Sequence, residues 1–307
     1  MNTNNKNINM KTLITGGAGF IGSNLVDFLI KNGHEVIVID NESAECHEKF
    51  YWNEKAKNYK YDICDYDLIS PLFSNIDVVF HIAAEARIQP SLINPLKTVK
   101  TNVLGTCNIL QASREHGVKR VIYSSTSSAY GRKNSLPFKE EMTKDCLTPY
   151  SVAKTAGEEL CQMYYTLFGL ETITLRYFNV YGNRQPTKGQ YAPVIGLFQK
   201  QKMEGKKITI VGDGLQKRDF TNIKDVVEAN IKAAVIENSE VYGQIFNIGT
   251  GKSYSVLQLA ELIGGEIEFI PPRKGEARET LANIAKAEKI LIWKPTVDLE
   301  DWLKNNL

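Results

Sequence analysis

From Lys11 to Ser125 the apolar residues fall into short, nearly continuous runs separated by longer amphipathic stretches. Lys11–Thr15, Glu35–Asp40, Val78–Ala83 and Arg120–Ser125 are rich in Val, Ile and Phe and are bounded by turn residues, which predicts strands. Because these runs scarcely alternate, they suit strands buried on both faces of a parallel sheet. Phe20–Asn32 and Pro95–His116 carry helical spacing, and a further helix, Pro149–Leu167, is expected. Glu171–Phe178 resumes as a strand, with Thr172, Thr174 and Arg176 alternating against Ile173 and Leu175. Alternation of strand and helix in this way predicts right-handed βαβ units and an α/β fold with a doubly wound parallel sheet.

After Phe178 the texture changes. Asn183–Tyr191 and Gly212–Lys217 are rich in Gly, Gln and Lys and read as loops. Ile223–Ile236 reads as a helix and Gln244–Gly249 as a strand, both returning to the first domain, and short helices are expected around Pro271–Pro272 and Pro295. The predicted organisation is a larger domain over 10–178, with 223–249 returning to it. A smaller, discontinuous C-terminal domain covers 179–307, mainly 179–222 and 250–307.

Composition narrows the function classes. A 43% hydrophobic and 23% charged content excludes wholesale disorder. Lys and Arg number 37 against 35 Asp and Glu, a net charge of +2 that argues against a nucleic-acid partner. No apolar run approaches the ~20 residues of a membrane span. Met1–Met10 is Asn-rich without an apolar centre, so it reads as a leader other than a secretory signal, with Met10 as the effective start. The five cysteines (Cys46, Cys64, Cys107, Cys146, Cys161) form no CxxC pair and the four histidines show no ligand spacing. Reduced thiols in a cytoplasmic protein without a metal are expected.

Candidate chemistry begins at Thr15-Gly16-Gly17-Ala18-Gly19-Phe20-Ile21-Gly22, between the first predicted strand and helix. Glycines there permit a tight turn and let a pyrophosphate approach the helix N-terminus, whose free N–H groups favour anions. Asp40 ends the second strand, where a carboxylate binds adenosine ribose hydroxyls and repels a 2′-phosphate, which favours NAD over NADP. Tyr150-Ser151-Val152-Ala153-Lys154 follows Pro149 at a helix start, so Tyr150 and Lys154 share one face. An ammonium beside the phenol would lower its proton affinity and fit Tyr150 to act as a base. Tyr51–Lys55 also matches YxxxK but lies in a polar stretch and is read as coincidence. Upstream, Ser124-Ser125-Thr126-Ser127-Ser128 closes a buried strand with hydroxyls that serve either the backbone turn or a ligand oxygen.

With these residues in register, the chain resembles the extended short-chain dehydrogenases/reductases, and among them the NAD-dependent UDP-sugar 4-epimerases. Further support comes from Asp62-Ile63, His81-Ile82-Ala83-Ala84, Thr101-Asn102-Val103-Leu104-Gly105-Thr106, Leu175–Gly182 and Arg218-Asp219-Phe220, so the similarity runs from about Met10 to Trp302. It implies a Rossmann domain for NAD and a C-terminal domain for the nucleotide sugar. Gly16, Gly19, Phe20, Ile21, Gly22, Asp40 and Asn41 would hold the cofactor; Asp62 and Ile63 would flank the adenine. Ala83, Ala84 and Asn102 would line the channel, with Tyr177 by the nicotinamide and Lys154 on the ribose. Asn179, Arg218 and Arg273 would hold the substrate diphosphate, while Thr126 and Tyr150 would act at the sugar 4-hydroxyl. A homodimer is also implied, through helices carrying Leu104, Ile109, Leu110, Leu160, Met163 and Leu167.

Two absences and two pocket positions bear on the substrate. Dehydratases of this kind carry an Asp-Glu pair after the catalytic Thr, and UDP-glucuronate decarboxylases keep the Glu; here Ser127 and Ser128 stand there. Elimination needs a positioned proton carrier, so both readings recede. Thr280, and Ser127 beside it, leave room for an N-acetyl group, so UDP-Glc/UDP-Gal and UDP-GlcNAc/UDP-GalNAc both stay open. Arg87 would suit a uronate carboxylate through bidentate pairing, which keeps UDP-glucuronate 4-epimerase as the alternative. Net oxidoreduction and a silent NAD-binding sensor are the remaining rivals, the last disfavoured by the register of Thr126, Tyr150 and Lys154.

Overall fold

The computed structural model describes residues 9–188, 192–272 and 277–307. Its first half alternates β1 (Lys11–Thr15), α1 (Phe20–Lys31), β2 (Glu35–Ile39), β3 (Lys57–Tyr59), α2 (Tyr66–Ile69), β4 (Val78–His81), α3 (Ile88–Ile93), α4 (Pro95–Val99), α5 (Thr106–Glu115), β5 (Arg120–Thr126), α6 (Pro149–Phe168) and β6 (Glu171–Tyr177). The second half carries β7 (Val180–Tyr181), α7 (Val194–Met203), β8 (Ile208–Val211), β9 (Lys217–Asp219), β10 (Thr221–Asn222), α8 (Ile223–Val235), β11 (Gln244–Ile248), β12 (Ser253–Ser255), α9 (Val256–Ile263), β13 (Ile267–Ile270), α10 (Ala285–Lys289) and α11 (Leu299–Lys304).

Seven strands form one parallel sheet in the order β11-β6-β5-β4-β1-β2-β3. Successive side chains enter opposite cores: in β1, Ile14 packs with α1 and α8, whereas Leu13 packs toward α5 and α6. Burial on both faces explains the unalternating strand sequences. Chain direction across the sheet reverses between β1 and β4, which opens a crevice at their C-terminal ends. A smaller lobe has its own core from α7, β8, α9 and α11, including Phe198, Ile210, Leu259 and Leu303.

Three expectations are corrected. Pro95–His116 is not one uniform helix, because Lys100–Gly105 adopts π-helical winding between α4 and α5. A side chain at Gly105 would place its Cβ 2.5 Å from Ile63 Cδ1, so the wider turn is packed tightly against the neighbouring loop. Among the described residues around Pro271–Pro272 there is no helix; the prolines follow β13, which pairs with β8. Gly212–Lys217 is a loop only as far as Gln216, since Lys217 opens β9. Tyr191 and part of the Asn183–Tyr191 loop lie outside the described residues.

Arg120 locks the sheet to α8. Fully buried, it donates from Nε to Glu171 Oε2 at 2.9 Å and from Nη1 to the Ala233 and Ala234 carbonyls at 3.1 and 2.6 Å, the unpaired C-terminal carbonyls of that helix. Arg120→Met strands these acceptors, and a loss of about 3 kcal/mol in urea unfolding is expected from breaking a buried charged network.

Candidate active site

A cavity of about 940 Å³ follows the crevice at the strand ends into the gap between the lobes. Gly16, Gly19, Phe20 and Ile21 line its floor, Asp40, Asn41 and Ile63 one end, Ala83, Ala84 and Arg87 the middle, and Thr126, Ser127, Tyr150 and Tyr177 the inner wall. Asn179, Arg218 and Thr280 line it from the second half of the chain. Arg273 lies outside the described residues.

The glycine turn is packed tightly from below. A Cβ at Gly16 would sit 2.8 Å from the Ala83 backbone, one at Gly17 2.6 Å from Val38, and one at Gly22 2.1 Å from the Gly16 carbonyl. Gly16 also has φ of 69°, where glycine is favoured. Gly22 therefore serves helix–turn packing, whereas Gly19 is the N-cap of α1 and lines the cavity. Asp40 Oδ2 accepts from the Ala18 amide at 3.0 Å and Oδ1 from Glu42 at 2.8 Å. Burial raises its proton affinity and these amide bonds draw it back down.

Several expected residues stand behind the lining. Asp62 accepts from Asn41 Nδ2 at 3.0 Å and from the Cys64 amide at 2.8 Å, orienting Asn41 and the Ile63 turn. Asn102, expected in the channel wall, instead binds the Glu85 amide and carbonyl at 2.8 and 3.0 Å, fixing the loop that carries Ala83 to Arg87. The same loop is held through His81. Thr106 gives its hydroxyl proton to the Asn102 carbonyl at 2.8 Å, so it accepts from His81 Nε2–H, also at 2.8 Å. Nδ1 then takes the Thr15 hydroxyl proton at 2.8 Å, and Thr15 Oγ1 accepts from the Ala83 amide at 3.2 Å. Burial, with the Lys154 charge second, holds His81 down to about 3, so it is neutral.

Thr126 ends β5, its hydroxyl accepting from the Ser128 amide at 3.1 Å, and like Tyr150 it lines the cavity. Tyr150 sits in the first turn of α6, which begins at Pro149 under a capping box of Thr148 and Ser151. Burial raises the Tyr150 phenol; the Thr126 hydroxyl and the Arg87 charge draw it down. Lys154, one turn on in α6, carries its Nζ 4.3 Å over the Tyr123 ring. Burial lowers Lys154 to about 7, with Cys161 and Glu158 opposing.

Glu158, one turn beyond Lys154, carries no sequence signal of its own. Buried, it accepts from Ser125 Oγ at 2.6 Å, Arg176 Nε at 2.7 Å and Lys144 Nζ at 3.1 Å. Asn179, at φ of 30°, donates to the Asp219 carbonyl at 2.9 Å and to Thr280 Oγ1 at 3.4 Å. Tyr177 turns its hydroxyl to Ser124 and Asn230 at 3.0 and 3.1 Å, leaving its ring to the cavity wall. Arg87 faces the cavity with a buried Nε that has no hydrogen-bond partner.

A crevice at a topological switch point, a glycine turn, and Thr126 and Tyr150 lining one cavity define a dinucleotide-dependent enzyme. The chain belongs to the NAD dependent epimerase/dehydratase family, which matches residues 12–249. A putative UDP-glucose 4-epimerase of Methanocaldococcus jannaschii is 41% identical over 96% of this chain and 98% of its own. The crystal structure of Thermotoga maritima UDP-glucose 4-epimerase with UDP-glucose superposes with a TM-score of 0.90 at 39% identity, covering 96% of each chain. That of Bacillus cereus UDP-glucuronic acid 4-epimerase with UDP-glucuronic acid and NAD gives 0.85 at 34% identity, covering 96% of this chain and 97% of that one. A cavity-lining glycine turn with no room for a Cβ at Gly16, beside the buried Asp40 carboxylate, fits a dinucleotide.

Burial of Lys154 makes stability depend on pH. Its ordinary value of 10.5 in the unfolded chain falls to about 7 in the native one. The contribution is therefore fullest above the unfolded value and is lost as pH falls through the native one. Unfolding in urea is expected to show the wild type gaining on Lys154→Met between about pH 7 and about pH 9.5; an unchanging difference would contradict the burial.

Proposed function

We propose that this protein is an NAD-dependent UDP-hexose 4-epimerase, a reading carried by Thr126 and Tyr150, which both line the cavity that the glycine turn floors. NAD, when bound, supplies the hydride acceptor and donor for C4. Gly16, Gly19, Phe20, Ile21 and Gly22 build its diphosphate seat, and Asp40 and Asn41 receive the adenosine ribose. Asp62 and Ile63 shape the adenine end, Ala83 and Ala84 the channel, and Tyr177 the nicotinamide wall; Asn102 acts through the Glu85 loop. Lys154 serves the second ribose.

Tyr150 takes the proton from the sugar O4 as hydride leaves C4, while the Thr126 hydroxyl holds that oxygen. The 4-keto sugar then turns about its diphosphate, and Tyr150 returns the proton after hydride reaches the other face. Arg218, Asn179 and Arg273 hold the diphosphate, with Ser127 and Thr280 beside the sugar. With hydride given back at C4, the cycle would consume no net oxidant or reductant. The domain assignment follows: 10–178 with 223–249 for NAD, 179–222 and 250–307 for the nucleotide sugar.

One observation supports UDP-glucuronate as a second substrate reading. The unpartnered Nε of Arg87 beside Tyr150 suits a carboxylate at C6. Purified protein with UDP-Glc, UDP-GlcNAc or UDP-GlcA, followed through the anomeric protons by NMR, is expected to form a galacto-configured product without added reductant. Absence of product from all three, with NAD supplied, overturns the reading. Tyr150→Phe is expected to lower kcat about a thousandfold through loss of proton transfer.

We further propose a homodimer in the cytoplasm. No described helix is long and apolar enough to cross a membrane, and the five cysteines are free, which suits a reducing compartment. Ile109 and Leu110 are core residues, whereas Leu104 and Leu167 are exposed. On the adjoining α4 and α6, Leu96 is 82% exposed and Val152 52%, an apolar surface that a second copy would cover. Light scattering is expected to give a dimer for the wild type and a monomer for Leu96→Glu/Val152→Glu; a monomeric wild type overturns the proposal.

A further inference from the structure

Between β2 and β3 the chain makes a long detour whose residues Ser43 to His47 and Phe50 form a wall of the cavity. It leaves the sheet at Glu42, at φ of 56°, where Asp40 and Asn41 side chains accept from the Glu42 and Ser43 amides at 2.8 and 3.1 Å. It then crosses the glycine turn, where the Tyr51 amide donates to the Ala18 carbonyl at 2.8 Å. His47 overhangs Gly19: its Nε2 lies 3.7 Å from the position a Cβ there would take. Neither ring nitrogen of His47 has a hydrogen-bond partner among the described residues.

The detour is tied to the other half of the chain. Glu48 pairs with Lys200 on α7 and accepts from Thr187 Oγ1 at 3.2 Å. Arg184 lies 4.7 Å over the Tyr51 ring and pairs with Asp27 of α1 at 2.6 Å. One segment thus touches the dinucleotide seat on its inner side and the sugar-binding half on its outer side.

We propose that residues 43–51 are a clasp that retains the dinucleotide, with His47 donating to its diphosphate above Gly19 and the Glu48–Lys200 pair holding the segment closed. This rests on NAD being the cofactor, as argued above. Burial, with the Arg87 charge second, lowers His47 to about 4, so the imidazole works as a neutral donor through the physiological range. The anionic charge it meets is shared with the N–H groups at the start of α1. An exchange of cofactor requires the clasp to lift, which breaks contacts to α7; cofactor release and separation of the lobes are therefore linked.

The test is the release of bound NADH from the full chain, followed by fluorescence after adding excess ADP-ribose. Glu48→Ala is expected to speed release about fivefold, the range open to an exposed pair with two partners. His47→Ala is expected to speed it about tenfold or more, through loss of a bond to a charged group. The exchange Glu48→Lys/Lys200→Glu is expected to restore the wild-type rate within about twofold, which a general loosening of the surface would not do. Wild-type release from both Glu48→Ala and His47→Ala would overturn the clasp. A wild type that binds no dinucleotide would instead overturn the cofactor assignment on which the clasp rests.

Discussion

The buried pair of Glu158 and Arg176 is the interaction on which the site's geometry depends. Glu158 stands on α6, Arg176 on β6, and Ser125, which binds the same carboxylate at 2.6 Å, on β5 immediately before Thr126. Three elements therefore converge on one anion. Their meeting fixes the spacing between the end of β5 and the start of α6, and hence between Thr126 and Tyr150. A carboxylate removed from water is costly unless its oxygens are satisfied, and here Ser125, Arg176 and Lys144 share that task. The penalty for mispacking is large, which makes the arrangement specific as well as stable.

The same desolvation organises the charges around it. His81 is neutral with a defined tautomer, Lys154 is drawn down to about 7, and Tyr150 is raised and then moderated by Thr126 and Arg87. None of these groups meets bulk solvent through the sheet. Proton affinity in this region responds mainly to what fills the cavity, so an anionic or cationic ligand acts on them at low dielectric.

Much of this was legible in the sequence, and the exceptions share a physical cause. The central strands announced themselves because both faces are buried, and the glycine turn and α6 start because backbone geometry restricts residue choice there. β3 escaped notice since Lys57–Tyr59 is a short edge strand with mostly exposed side chains. β8 and β13 did as well, each being four residues long and stabilised by a partner distant in the chain. In the site, Thr126, Tyr150, Asp40 and Arg87, singled out by residue type, all line the cavity. The contact of Lys154 with the Tyr123 ring and the bonds of Asn102 to the Glu85 loop are packing outcomes that spacing does not encode. His47 belongs to an aperiodic loop, where sequence carries no register at all.

The π-helical turn at Lys100–Gly105 has a consequence for how this lineage tolerates insertions and deletions. It lets one helical run face two ways: Asn102 and Thr106 inward to the Glu85 loop and His81, Leu96 and Leu104 outward. Gaining or losing a residue in the α-helical turns beside it, with the wide turn kept, would swing everything beyond by about 100°. The inward anchors and the outward apolar stripe would then fall out of phase together. Length is thus constrained in this segment even where the identity of individual side chains is not.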